Sequence, residues 1–311
     1  MDYVCFNFRI SSERPLDVLT VARPEDAGLA SVSIRWGDVP DALEGAPAPL
    51  HGLQVSGRDA LLTVPDVARY RVRDGREIIV QPVPGASARD VRLFLLGSAL
   101  GVLSFQRGLL PLHANVVAIQ GEAVAFAGKS GAGKSTLAAW FRTRGHSVFS
   151  DDICMIEFAE SGPRVWPGLP RLKLWAAAVD AFAPGVAEPE RVRDTLDKFE
   201  IPIESAAHVG PLQLRSLYVL AQAEADAPAG IERLRGSAAI AALLSQTYRA
   251  IYLPLMDLQA WQFARAAELL RHIPVYAAPR LWGYDVFEAE AARLERHARG
   301  GDAGSGNRDA E

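Results

Sequence analysis

Short alternating runs of apolar and polar residues fill the first 85 positions. "YVCFNFRI", "VSIRWGD", "LLTVP" and "YRVRDGREIIVQPVPG" each concentrate β-favouring side chains between turn residues. The last places Asp74-Gly75 between two alternating runs, which predicts a β-hairpin. "PVPGAS" (82–87) reads as a linker, and the period changes there: Asp90 to Leu103 spaces its apolar residues as a buried helix does. The pattern predicts a small β-rich domain over 1–85, a second domain over 86–298, and a polar, glycine-rich, disordered tail over 299–311.

In the second domain, "LPLHANVVAIQGEAVAFAGKSG" predicts two strands joined at Gln120-Gly121-Glu122, the second running into a glycine-rich loop. A short helix follows, with Leu137 and Phe141 on one face and Gly145 placed to end it. "HSVFSDD" is then a buried strand whose carboxyl end carries Asp151 and Asp152. Beyond Ile156 the pattern predicts a turn-rich stretch, a helix near "LKLWAAAVDAF" and charged, turn-containing sequence to about 210. A strand in "PLQLRSLYVLAQAE" and amphipathic helices in "SAAIAALLSQTYRAI", "DLQAWQFARAAELLRH" and "VFEAEAARLERHA" complete an α/β chain.

Composition narrows the class. With 49% hydrophobic and 23% charged residues in 311, the chain can bury a sizeable core. A net charge of -4 gives no general attraction to nucleic acid or anionic membrane, so any phosphate site must be local. The start "MDYVCFNFRI" lacks the charged and apolar regions of a secretory signal, and the apolar stretch 93–105 is too short to span a bilayer. Cys5 and Cys154 supply neither a disulfide framework nor metal-ligand spacing. A cytoplasmic protein with no nucleic-acid or membrane partner is expected.

The run from Gly128 to Ser135 fits G-x-x-x-x-G-K-[ST] at every fixed position. Backbone N–H groups of Gly128, Ser130, Gly131, Ala132 and Gly133 can turn inward around phosphates, and the following helix, with Thr136 in its first turn, presents its positive end. Lys134 would reach the β- and γ-phosphates, and Ser135 Oγ would ligate Mg²⁺. ATP and Mg²⁺ are the expected cofactors.

One aspartate at a strand end beside such a loop suffices for Mg²⁺; two can turn toward one cleft, leaving one for metal and one for a substrate hydroxyl. The plain alternative is that one of them caps the next segment. His113 opens the strand paired with the loop strand and can reach the same cleft, whereas His146 reads as a helix-terminal or packing residue. Loose phosphoryl transition states call for cations, for which Arg171, Lys173 and Lys198 are candidates.

Over 111–156 the chain resembles the catalytic domain of HPr kinase/phosphorylase. The matching features, in order, are the histidine before a hairpin, the loop "GKSGAGKST", "RGH" at 144–146 and "DD" at 151–152. The resemblance implies a P-loop kinase core of the HPr kinase C-terminal-domain type, Asp151 as general base toward a serine hydroxyl with His113 and Lys134 beside it, Asp152 and Ser135 at the metal, and a homo-oligomer. Thr136 stands where that family has glutamate, no downstream glycine-rich phosphorolysis signature follows Ile156, and residues 1–85 do not resemble its amino-terminal domain. Kinase is therefore favoured over phosphorylase. "LLGSALGVLSFQRGLLPLHAN" and "PGLPRLKLW" look more like HPr-kinase-related proteins of ribosomal peptide pathways, including lasso-peptide kinases that phosphorylate a carboxy-terminal serine of the precursor.

The reading is thus an ATP-dependent kinase acting on a serine of a peptide or small protein, with an edge strand of the β-rich domain available to an extended chain. Its rivals are a nucleotide-binding sensor or assembly protein without transfer, and a small-molecule kinase acting on free serine or a carboxylate metabolite.

Overall fold

The computed structural model describes residues 1–183, 185–186, 189–193, 195–223 and 230–300 as a mixed α/β structure; 301–311, the bulk of the expected tail, lie outside the described residues. The alternating amino-terminal runs pair into an eight-stranded sheet. Its central strand Ala30–Trp36 lies parallel to both Phe8–Ser12 and Glu77–Pro82, joining an early hairpin to a later meander. Asp74 and Gly75 both take positive φ between Ala68–Arg73 and Glu77–Pro82, as the Asp-Gly turn requires.

The helical pattern beginning near Asp90 runs from Ala88 to Gln106, with a π-type turn at Leu95–Ala99. Val91, Leu95 and Leu103 pack in one cluster with Phe8, Ile34 and Tyr70, and Tyr70 Oη donates to Val91 O at 2.8 Å. The apolar core of the first sheet therefore continues past residue 85.

The second sheet positions the site. Glu122–Gly128 is parallel to Leu212–Gln222, which is parallel to Val275–Arg280. Ala114–Ile119 is antiparallel to both Glu122–Gly128 and Ser147–Ser150. Hence Gly128, Ser150, Gln222 and Arg280 all end strands at one edge, and His113 precedes its strand at that same edge. Ligand sites in such sheets lie outside the carboxyl ends of the strands.

Both faces are covered, as the nearly unbroken apolar strands demand. On one face Leu137 and Phe141 of the helix Lys134–Thr143 pack against Val124, Phe126 and Tyr218, with Leu294 of Tyr284–Ala298 beside them. On the other, Leu243 of Gly236–Ser245 and Leu269 of Gln259–His272 cover Ala123, Ala125 and Leu217.

One expectation is corrected. "RLKLW" is a strand, Arg171–Trp175, and the helix begins only at Ala176. Leu172 and Leu174 alternate with Lys173 and point into the core, a period of two that the following alanines obscure. This strand pairs with Lys198–Pro202, in the region expected to be turns, and Glu190–Arg191 completes a small third sheet.

Candidate functional site

The loop from Gly128 to Gly133 joins the strand Glu122–Gly128 to the helix Lys134–Thr143. Gly128, Gly131 and Gly133 all have positive φ. A Cβ at Gly128 would stand 2.7 Å from Leu220 O, so the tight approach of the loop to its neighbouring strand needs glycine there. No side chain caps the helix, which leaves its first N–H groups facing the loop.

Lys134 lies over this loop. Its ammonium donates to Gly128 O at 2.7 Å and Lys129 O at 3.2 Å, and meets His113 Nε2 at 3.0 Å. With an ammonium at Nε2, that nitrogen accepts and Nδ1–H donates to Asp152 O at 3.1 Å, which fixes the neutral tautomer. Burial is the main cause lowering the pKa of both groups; at His113 the Lys134 charge adds to it, whereas at Lys134 the two aspartates oppose it.

The aspartates follow the strand Ser147–Ser150, Asp152 with φ +71. Asp151 is buried; its Oδ1 accepts from Ser135 Oγ at 2.9 Å and its Oδ2 from the Lys173 N–H at 2.7 Å. Asp152 Oδ2 accepts from Lys173 Nζ at 2.7 Å, and its Oδ1 lies 4.0 Å from His113 Nδ1. The two carboxyls are driven apart. Burial, then the Asp152 charge, raises the pKa of Asp151. Burial would raise Asp152 too, but the Lys173 and Lys198 ammonium groups hold it well below the carboxylate range. Lys173 is correspondingly held above the lysine range, Asp152 outweighing burial.

A cavity of about 260 Å³ opens over the loop, lined by Ser130, Gly131, Gly133, Lys134, Ser135 and Thr136 and, across from them, by His113, Asp152, Lys173 and Lys198. Of the three candidate cations, Lys173 and Lys198 line it; Arg171 is turned away, paired with Glu200. A second cavity of about 580 Å³ shares His113, Asp152 and Lys173 as walls and adds Asp151. His146 takes a packing position, its Nε2–H donating to Glu295 Oε1 at 2.8 Å and its ring lying edge-on to Phe141.

Several side chains at the first cavity escaped the sequence reading. Arg280, buried at the end of its strand, donates to Ala132 O within the loop, and its Nε is buried without a hydrogen-bond partner. Burial pushes its pKa down to about 10, so it stays cationic at neutral pH. Trp175, Trp282 and Tyr284 are exposed at the cavity rim, with Phe287 beside them. The run "RLWGY" from Arg280, aromatics flanking a glycine after a strand, was the available signal.

In chemical terms, the loop and helix end suit an anion, Lys134, Lys198 and Arg280 add positive charge, and the aromatic rim suits a flat ring. The hydroxyl of Ser135 with two carboxylates is a hard oxygen donor set fit for Mg²⁺ shared with phosphate oxygens. Among the described residues no group of three or more His, Cys, Asp or Glu is gathered as a metal site, and none is needed for that sharing. Among the described residues no helix is long and apolar enough to cross a membrane.

No protein-family model and no curated protein matches the chain. Among solved structures, it is similar to the HPr(Ser) kinase/phosphatase from Coxiella burnetii, at 12% identity over 60% of this chain and 90% of that one, with a TM-score of 0.34.

Proposed function

We propose that the protein is a P-loop kinase that transfers the γ-phosphoryl group of ATP to a serine hydroxyl of a peptide or small protein. The observation that carries this reading is the placing of two adjacent carboxyls, Asp151 bonded to Ser135 Oγ and Asp152 paired with Lys173, at the wall between a phosphate-shaped loop and a second cavity. The aromatic rim takes the base, and the loop N–H groups, Lys134 and Arg280 hold the phosphates. Mg²⁺, when bound at Ser135 and Asp152, neutralises charge between the phosphates. Asp151, on the second-cavity side, orients the acceptor hydroxyl and takes its proton late, since positioning and charge neutralisation carry most of a loose transition state. His113 stays neutral and holds Lys134 and the Asp152 backbone in place. A lasso-type precursor peptide is the substrate suggested by the resemblance in "PGLPRLKLW" and the stretch preceding His113.

The Ser135 to Asp151 hydrogen bond favours a second assignment, with Asp151 at the metal and Asp152 toward the acceptor. One experiment tests both. Mg²⁺, ATP and a panel of serine-containing peptides, HPr and free serine are incubated with wild type, Asp151→Asn and Asp152→Asn, and product masses are read against Mg²⁺ concentration. The first assignment expects a gain of one phosphate, lost in Asp151→Asn at any Mg²⁺ level, and an Asp152→Asn variant that needs far more Mg²⁺. Exchange of these two behaviours supports the second assignment. Nucleotide binding with no phosphorylated product from any acceptor would overturn the kinase reading in favour of a sensor.

A further inference from the structure

The second cavity carries a charge that the rest of the molecule does not. The chain as a whole is acidic, at -4, yet seven cationic side chains line this cavity against three carboxylates. Arg171 pairs with Glu200, and Lys173 with Asp152, so those charges are answered internally. Arg92 and Arg193 reach carboxylates outside the lining, Glu190 at 3.3 Å and Asp90 at 3.6 Å. Arg249 meets no carboxylate among the described residues; its guanidinium lies 5.5 Å from the ring of Tyr248.

Arg249 is also held in place. It has φ +54, an unfavourable region for a long side chain, so the surrounding structure must enforce it. The enforcement is visible: His113 N–H donates to Gln246 O at 2.7 Å and Tyr248 N–H to Pro111 O at 2.9 Å, which ties the turn carrying Arg249 to the segment carrying His113. Arginine is the side chain suited to planar carboxylate recognition. Arg249 is exposed, so a peptide can reach it, and the apolar part of the lining, Phe6, Leu93, Phe94 and Ile153, offers that peptide surface to bury against.

We infer that the second cavity is an acceptor site for a peptide whose serine is flanked by acidic side chains. This rests on the kinase reading for its chemistry alone: the serine O–Pγ bond forms, the bond from Pγ to the β,γ-bridging oxygen breaks, the hydroxyl proton passes to the aspartate and on to water, and ADP leaves. A cavity of about 580 Å³ is larger than free serine fills, which favours a peptide over a single amino acid.

The probe is a fluorescein-labelled, carboxy-terminally amidated hexapeptide containing Glu-Asp-Ser-Glu. It is compared with its Gln-Asn-Ser-Gln counterpart, a Lys-Lys-Ser-Lys version and unlabelled free serine as competitor. Binding is read by fluorescence anisotropy at several salt concentrations, and transfer by mass, on wild type, Arg249→Ala, Arg249→Lys and Arg193→Ala; nucleotide affinity is measured alongside as the control for folding. The expected result is binding of the acidic peptide at least tenfold tighter than its neutral counterpart, weakening with salt. Arg249→Ala and Arg193→Ala lose tenfold or more, Arg249→Lys retains part, and nucleotide affinity is unchanged. Binding of the acidic peptide without transfer leaves the cavity assignment standing and removes the kinase reading. Equal binding of acidic, neutral and basic peptides, or free serine displacing the probe as well as an acidic peptide does, overturns the assignment even where transfer occurs.

Discussion

Replacing Lys173 by methionine removes the ammonium while keeping an unbranched apolar stem of similar length on the cavity face of its strand. The backbone N–H that serves Asp151 is untouched. What is left behind is Asp152, facing the raised carboxyl of Asp151 without its main counter-charge. Breaking a fully buried pair costs about 3–5 kcal/mol, and an exposed one about 0–1. With side chains 15% and 25% exposed, Lys173 and Asp152 sit nearer the first limit, which sets the cost at about 2–3 kcal/mol. For a protein of this size that lowers Tm by roughly 3–5 °C.

The pH window follows from the two shifts. Asp152 is depressed, so its contribution is present above the ordinary carboxylate pKa and fades as pH falls through the depressed value. Lys173 is raised, so its contribution is present below the ordinary lysine pKa and fades as pH rises through the raised value. The full difference therefore holds between about pH 4 and about pH 10. The assay is urea unfolding at neutral pH on Lys173→Met, Asp152→Asn and the double variant, where the double variant recovers much of the single-variant loss. A loss below about 0.5 kcal/mol for Lys173→Met, or strictly additive single effects, would refute the reasoning.

Two further outcomes follow from the same site. Because Asp151 must be ionised to take a proton and its pKa is raised, kcat/KM rises with pH along an acid limb above the ordinary carboxylate range; in Asp152→Asn, with the neighbouring charge gone, that limb moves to lower pH, and an unmoved limb assigns it to another group. Gly133→Ala places a methyl 2.5 Å from Arg280 Nη2 at φ +72, costing roughly 1–2 kcal/mol from the backbone alone. Nucleotide affinity by calorimetry should fall at least tenfold; an unchanged affinity would show that Arg280 is not held against the loop.

The loop, its helix, the following strand and the two aspartates lie within about thirty consecutive residues, so a linear pattern of glycines, apolar spacing and charge carries them. His113 was legible for the same reason, through the hairpin that feeds the loop. Arg280 and Arg249 were not, because only the parallel pairing of Val275–Arg280 with Leu212–Gln222 and the hydrogen bonds of Tyr248 and Gln246 to the His113 segment bring them near. Arg171, Lys173 and Lys198 show the limit from the other side. All three were recognisable as cations, but which reaches the loop depends on partners across the sheet: Arg171 and Lys173 share one face of their strand, yet Lys173 meets Asp152 while Arg171 is drawn to Glu200. The aspartate pair was visible as a pair, while the opposite displacement of its two carboxyls came from the burial of Asp151 and from the Lys173 and Lys198 ammonium groups beside Asp152.

Phe6, in the turn joining the paired strands Asp2–Cys5 and Phe8–Ser12 of the first sheet, donates its N–H to Pro167 O at 2.8 Å and forms part of the wall of the second cavity. Arg171 likewise donates to Val18 O, and Thr20 and Ser205 share a hydrogen bond. The amino-terminal sheet is therefore joined to the pocket it helps to enclose. On the proposed kinase reading, change in this sheet would retune which acceptor enters while the loop, Lys134 and the aspartates went on handling nucleotide and transfer unaltered. Selectivity and chemistry would then drift at separate rates, on separate stretches of one gene.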